Sequence, residues 1–310
     1  MVIDGLNVLS DQKECLNGGK VIVIDNFSED GSAHKIESAI NNAGWSSWVE
    51  QLNMPRNGGF AYGNNAGIKY AIGGENKADY LVLLNPDTLV RPNAIEELIK
   101  FMEMHPNVGV AGSRLENVEG RIECSAHQFP SPVGELLESA RLGFLTKFFA
   151  KFEVTPALRD VPHPCDWVSG SSMIIRRQVI EEIGYLDEEF FLYFEEVDFF
   201  QRIAKTKWQV WYVPSSVVMH IEGASTEIKV AKRRPSYWFE SRRRYYVKHY
   251  GVLGLIAADA LWTLGWLSYK LRRTLQLGTF CPLTEPPWLT FDILFGDVKA
   301  LFSKKIWTIK

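Results

Sequence analysis

The chain has 310 residues, 46% hydrophobic and 23% charged, with a formal net charge of −3 at pH 7. This length and apolar content suffice for a full buried core and exclude a disordered chain. The charge balance argues against a protein that binds nucleic acid over its whole surface.

In chain order, Val21-Ile-Val-Ile-Asp25 is a short apolar run ending in an acid, and the spacing predicts a helix from Ser28 to Ala43 behind it. A second strand is predicted from Trp45 to Leu52, then a tight turn at Gly58-Gly59, a helix over Phe60 to Ile72 and a strand over Tyr80 to Leu84. Asn93-Ala-Ile-Glu96 has capping-box spacing and opens a predicted helix to about Met104. This alternation implies an α/β fold with a mainly parallel sheet covered by helices. Beyond Val108 to Gly112 the pattern turns irregular, and the amphipathic stretch around Glu135 to Phe152 reads equally as a lid or as a surface excursion. Regular signals resume with a strand at Trp167 to Arg176, a helix ending at Gly184, a helix from Glu195 through Ala204, and strands at Val210 to Val213 and Ser216 to Val218.

The strand Tyr80 to Leu84 runs straight into Asn85-Pro86-Asp87. A buried strand ending in an acidic turn puts its carboxylate at the carboxyl edge of a sheet, where open α/β folds bind ligands. Asp87 is therefore a candidate metal or phosphate-site residue, with a turn-forming Asp as the plain alternative. Four cysteines, Cys15, Cys124, Cys165 and Cys281, form no CxxC pair and no zinc-like cluster, so a reducing compartment is expected. The N-terminus shows no secretory-signal pattern, and the expected location is cytoplasmic.

The ordered set Val21-Ile-Val-Ile-Asp25-Asn26, Asp30-Gly31-Ser32, Asn57-Gly-Gly-Phe60, Gly63-Asn-Asn-Ala-Gly67, Asn85-Pro-Asp87, Trp167-Val-Ser-Gly170, Glu195-Glu196-Val-Asp198 and His220-Ile-Glu-Gly223 resembles family 2 glycosyltransferases. Within them it is most similar to the rhamnosyltransferase-like enzymes of bacterial surface polysaccharide synthesis, over roughly Met1 to Gly251. The resemblance implies a GT-A-like, Rossmann-like domain over residues 1–225 and inversion at the anomeric carbon. The implied donor is a nucleotide-diphospho-sugar, dTDP- or UDP-linked with rhamnose favoured, and the acceptor a glycan or lipid-linked glycan. It also implies Mg2+ or Mn2+, held by Asp87 and His220. Asn85 stands where many relatives carry a first Asp, so it offers only a neutral oxygen. Relatives begin with a further apolar strand before the helix that Met1 to Leu9 resembles, so the expectation is a fold whose first strand is missing.

An attacking hydroxyl must lose its proton, which calls for a carboxylate opposite the leaving group. Glu195, Glu196 and Asp198 cluster in one helical turn among Phe190, Phe191, Tyr193, Phe194, Phe199 and Phe200, an apolar surround able to raise a carboxyl pKa. Helix-dipole matching explains one or two such acids without catalysis. Matching the family's acidic pair makes Glu196 the expected base, Asp198 the next candidate and Glu195 an orienting group. By the same resemblance Asp25, Asn57, Gly58, Gly59, Asn65, Asn85, Asp87 and Gly170 form the donor site, the glycines letting backbone approach the ligand. A strand-terminal cap at Asp25 and plain turns at the glycines use the same residues.

Residues 226–310 differ in character. Arg233-Arg234, Arg242-Arg-Arg244 and Lys248 interleave with aromatics, a mixture suited to nucleic acid, anionic lipid or a phosphorylated acceptor, or to a solvated helix face. The apolar run Val252 to Tyr269 approaches bilayer length, but Asp259, Thr263 and Lys270 share one helix stripe. Peripheral contact with the inner face of the cell membrane is the expectation, with no nucleic acid partner. Two alternatives stand beside transfer: a nucleotidyltransferase, and an inactive nucleotide-sugar-binding scaffold.

Overall fold

The computed structural model describes residues 1–16, 18–74, 77–221, 233–276, 286, 288–303, 306 and 309. Glu222 and Gly223 of the His220 motif, and Cys281, lie outside the described residues. Two compact units form: one of Met1–His127, Ala157–Phe191 and Glu195–Ser225, the other of Gln128–Pro156, Leu192–Phe194 and Thr226–Lys310.

In the first unit, α1 (Val2–Ser10) precedes β1 (Val21–Asp25), α2 (Ser32–Asn42) and β2 (Val49–Asn53), and the two strands pair in parallel. The helix starts four residues later than the spacing predicts because side chains hold the preceding turns. Ser28 N–H donates to Asp25 Oδ2, Ser32 N–H to Asp30 Oδ1, and Gly31 is left-handed at φ 77°. There follow α3 (Gly59–Gly73), β3 (Tyr80–Leu84), β4 (Thr88–Val90), α4 (Ala94–Met104), β5 (Val108–Glu116), β6 (Ile122–Glu123) and β7 (Ala126–His127). The expected capping box at α4 does not form: Asn93 is left-handed at φ 64° and makes no side-chain cap, while its N–H donates to Gln12 Oε1.

After α5 (Pro132–Ala140) and α6 (Gly143–Phe148), both in the second unit, the first unit resumes with β8 (His163–Pro164), β9 (Trp167–Val168), β10 (Ser172–Arg176), α7 (Arg177–Ile183), α8 (Glu195–Ile203) and β11 (Gln209–His220). The main sheet has the order β3-β10-β5-β11-β4. β5 and β11 are parallel, while β10 opposes both its neighbours and β4 opposes β11. The α/β class holds, and the sheet is mixed. β10 enters after the irregular stretch rather than from a helical crossover, so nothing forces it parallel. The two strands expected at Val210 and Ser216 are one, with a register break between Val213 and Val217. Among the described residues no strand pairs with the second edge of β1 or of β3. Val21, Val23, Val82 and Leu84 nevertheless share one core with Leu6, Leu9, Ile36 and Ile40.

The second unit contains α5, α6, α9 (Ser236–Thr274) and α10 (Leu289–Leu301). Ser131 caps α5, its Oγ accepting from Gly134 N–H at 3.1 Å, with Pro132 in the first turn. α9 breaks at Gly251, where φ 71° and ψ 176° leave the helical region. α5 crosses α9 at Gly265, where a Cβ would lie 2.1 Å from Ser139 Oγ and 2.8 Å from Ala140 N. Trp262 packs with Leu289 and Ile293 of α10. Arg242, fully enclosed, bonds Glu135 at 3.1 Å, Asp259 at 2.9 Å and Asp297 at 3.2 Å, and Arg243 adds a 2.6 Å bond to Asp297.

Candidate active site

The Asn85-Pro86-Asp87 turn links β3 to β4. Thr88 N–H and Oγ1 both donate to the Asn85 carbonyl, at 3.2 and 2.7 Å, and the Asn85 N–H donates to the Ser171 carbonyl at 3.0 Å. In the β4/β11 ladder His220 stands opposite Thr88, which brings its Nε2 to 3.4 Å from Asp87 Oδ1. The two side chains, 133 residues apart in sequence, are both largely enclosed, at 6% and 11% exposure. A cavity of about 90 Å³ beside Asp87 is lined also by Met1, Asp4, Thr88 and Ile221. A carboxylate bordering this cavity, with an imidazole nitrogen 3.4 Å from its oxygen, fits a Mg2+ or Mn2+ ion that completes its shell with phosphate and water. Among the described residues no third His, Cys, Asp or Glu joins them, so they fit only an ion shared with a ligand.

α8 begins at Glu195, so Glu195, Glu196 and Asp198 occupy its first turn. The backbone leading in is left-handed at two consecutive non-glycine residues, Tyr193 (φ 69°) and Phe194 (φ 68°), a strained entry of the kind found where a site dictates geometry. The Oε2 atoms of Glu195 and Glu196 are both enclosed and take no hydrogen bond among the described residues. Burial raises the Glu195 carboxyl well above the usual range, with the Glu196 charge adding to it, and burial raises Glu196 as well. A Cβ on Gly170 would stand 3.2 Å from the Phe60 ring and 3.9 Å from Glu196 Oε1, so the glycine lets the Phe60 ring and this acid approach the backbone closely. Asp198 is committed elsewhere. Its Oδ2 accepts from Arg202 Nε at 3.1 Å, and the same guanidinium holds the Ile183 and Tyr185 carbonyls, which suits Asp198 to positioning rather than proton transfer.

Ser171 connects the two halves. Its carbonyl takes the Asn85 N–H, its hydroxyl accepts from Asn85 Nδ2 at 3.4 Å, and Gly170 beside it faces Glu196. At the β1 end, Asp25 caps its own turn through Ser28, as its plain reading anticipates. Asn26 Nδ2 donates to the Gly59 carbonyl at 2.9 Å and to Asn57 Oδ1 at 3.3 Å, and Asn57 Oδ1 also accepts the Gly59 N–H. Gly59 is demanded twice over: its φ is 86°, and a Cβ there would sit 1.9 Å from the Phe191 carbonyl oxygen, which accepts the Phe60 N–H. The glycine turn is thereby fastened to the segment just before the acids.

Asn65 needs correction as a donor-site residue. It is 1% exposed, its amide donating to the Leu186 carbonyl and Glu188 Oε1 and accepting the Leu186 N–H, so it braces the 186–188 turn. Asn26 ends the motif that begins at Val21, and Ser171 directly follows the one that ends at Gly170. The Phe191 carbonyl, a backbone group, has no residue signal in the sequence.

The family model described as glycosyl transferase family 2 matches residues 10–184. Over 153 residues the chain is 31% identical to an N-acetylglucosaminyl-diphospho-decaprenol L-rhamnosyltransferase of Mycobacterium tuberculosis, 48% of each chain. Over 157 residues it is 36% identical to the low-salt glycan biosynthesis hexosyltransferase Agl10 of Haloferax volcanii, 50% of this chain and 46% of that one. The chain thus spans about half the length of these curated relatives. In fold it resembles GalNAc-T7, solved with UDP, GalNAc and Mn2+, at TM-score 0.50 and 15% identity over 94% of this chain and 53% of that one. With the family model covering more than half of its residues, the chain belongs to glycosyltransferase family 2.

Proposed function

We propose that the chain transfers a sugar, with inversion, from a nucleotide-diphospho-sugar to a glycan or lipid-linked glycan acceptor. The observation that carries this is the enclosed Glu195–Glu196 pair, lacking hydrogen-bond partners at Oε2 among the described residues, beside Gly170 and linked through Ser171 to the Asn85–Asp87 turn. In the reaction the acceptor oxygen bonds to the anomeric carbon, the bond from that carbon to the diphosphate breaks with its electron pair, and Glu196 takes the hydroxyl proton. Burial raises both carboxyl groups and the two titrate as a pair; Glu196, the member beside Gly170, is assigned the base role. Asp87 and His220 would hold Mg2+ or Mn2+, which when bound supplies charge neutralisation for the departing diphosphate. Asn57, Gly58 and Gly59, fastened by Asn26, border the donor phosphates with backbone.

The relative named an L-rhamnosyltransferase acting on a decaprenol-linked diphosphate supports rhamnose as donor sugar and a lipid-linked acceptor, hence attachment at the cytoplasmic face of a membrane. The test is release of nucleoside diphosphate from a panel of dTDP- and UDP-sugars with Mn2+ or Mg2+, then transfer to a polyprenol-linked acceptor. Turnover of one donor that Glu196→Gln abolishes is the expected result. Full turnover in Glu196→Gln, or release of pyrophosphate from nucleoside triphosphates instead, would overturn the assignment.

A further inference from the structure

We infer that the outer face of α9 and α10 is a monotopic docking surface that lies in the plane of an anionic lipid monolayer. This deepens the membrane attachment proposed above and rests on it. Leu253, Ile256, Leu264, Leu267, Leu271 and Leu275, all between 44% and 81% exposed, follow a spacing of three or four residues along the second half of α9, with the exposed Ala260 filling the step between Ile256 and Leu264. Such spacing puts them on one stripe, opposite the buried Leu255, Ala258, Trp262 and Tyr269. α10 repeats the pattern with Trp288, Phe291, Phe295, Val298 and Phe302, between 52% and 89% exposed, while Leu289 and Ile293 face inward. The Trp266 and Phe291 rings, 5.8 Å apart, join the two helices beside these stripes.

Charge separates lipid from other partners. The acids among residues 252–276 and 288–303 are Asp259, Asp292 and Asp297, and each pairs with an arginine of the same unit: Asp259 with Arg242, Asp292 with Arg233, and Asp297 with both Arg242 and Arg243. Lys270, Arg273 and Lys299 are exposed on the same two helices. The polar network is thus turned inward, the outward stripes are apolar, and the exposed Lys270 and Lys299, each adjacent to a stripe residue, flank them, an arrangement complementary to acyl chains under anionic headgroups. α9 is long and apolar enough to cross a bilayer. The α10 stripe, however, runs only about 21 Å at 1.5 Å per residue, short of a ~30 Å hydrocarbon core. The opposite face of α9 is occupied by α5, which carries the exposed Glu138. A one-sided apolar surface suits a monolayer, where a span would require apolar residues on every side.

The test is co-sedimentation of the full chain with vesicles of phosphatidylcholine alone and of phosphatidylcholine with phosphatidylglycerol, with donor hydrolysis followed in parallel. Wild type should bind the anionic vesicles preferentially. Leu267→Glu/Phe295→Glu should bind at least about tenfold more weakly, while hydrolysing donor as wild type does and keeping its circular dichroism. Lys270→Glu/Arg273→Glu/Lys299→Glu, which leaves every buried residue in place, should lose the preference for phosphatidylglycerol. Unchanged vesicle binding in the apolar variant would overturn the inference, as would a wild type that ignores vesicles and instead dimerises through this face. Donor turnover without vesicle binding would sink the surface and spare the transferase, and vesicle binding without turnover would do the reverse.

Discussion

Glu195 and Glu196 are neighbours in sequence and compete for one enclosed space, so their protonation states set both activity and stability. Because burial raises both carboxyl groups, the folded chain holds protons there that the unfolded chain, with Glu near 4.3, has already released. The folded state binds more protons, so this pair costs stability as pH rises from about 4.3 through the raised values, and costs nothing below that window. Glu195→Gln should therefore melt higher than wild type at pH 8 and together with it at pH 4, a comparison thermal unfolding makes directly. Donor turnover should fall on the acid side at a pH above the ordinary Glu range, since Glu196 must be ionised. Glu196→Gln should lower transfer by about 10²- to 10⁴-fold above that pH, with the gap narrowing on the acid side as wild type itself loses the carboxylate. Gly59→Ala is the corresponding backbone experiment. The left-handed φ and the Phe191 oxygen leave no room for a methyl group, so a loss of about 1–3 kcal/mol in urea unfolding and a raised KM for donor are expected.

At the scale of elements, the hydrophobic runs were legible wherever burial and periodicity agreed. Tyr80–Leu84 and Val21–Asp25 stand where their apolar runs predict, and α8 opens at Glu195 as its acids suggest. The failures share a cause, which is side chains and turns competing for backbone groups. Asp25 and Asp30 delay α2, and the left-handed Asn93 forgoes its box. The helix α9 holds a second kind of surprise. Arg242 reads in sequence as part of an exposed basic cluster, yet it is 2% exposed and meets three acids from α5, α9 and α10. Arg242→Met leaves those acids without their shared partner, and a destabilisation of about 3–5 kcal/mol is expected, read by chemical denaturation of the full chain.

At the scale of the whole molecule, the candidate metal pair supplies only two protein ligands, so cation and nucleotide should depend on one another. Mn2+ and a nucleoside diphosphate together should raise the melting temperature by more than the sum of their separate effects, reaching about 2.7 kcal/mol of stabilisation at a hundredfold excess over Kd. Additive shifts would place the cation elsewhere, and a chelator that leaves donor turnover intact would remove it from the reaction. The sequence by itself determined the α/β class, the strand-to-acid turn at Asp87 and the acidic first turn of α8, because each is a local pattern of polarity and period. It also carried the ordered motifs by which the family is recognised. Only the tertiary structure decided that His220 meets Asp87, that Asn65 is a brace, and that the Phe191 carbonyl requires Gly59. Those facts depend on which distant segments the packing brings within 4 Å of each other, and neither period nor composition encodes that distance.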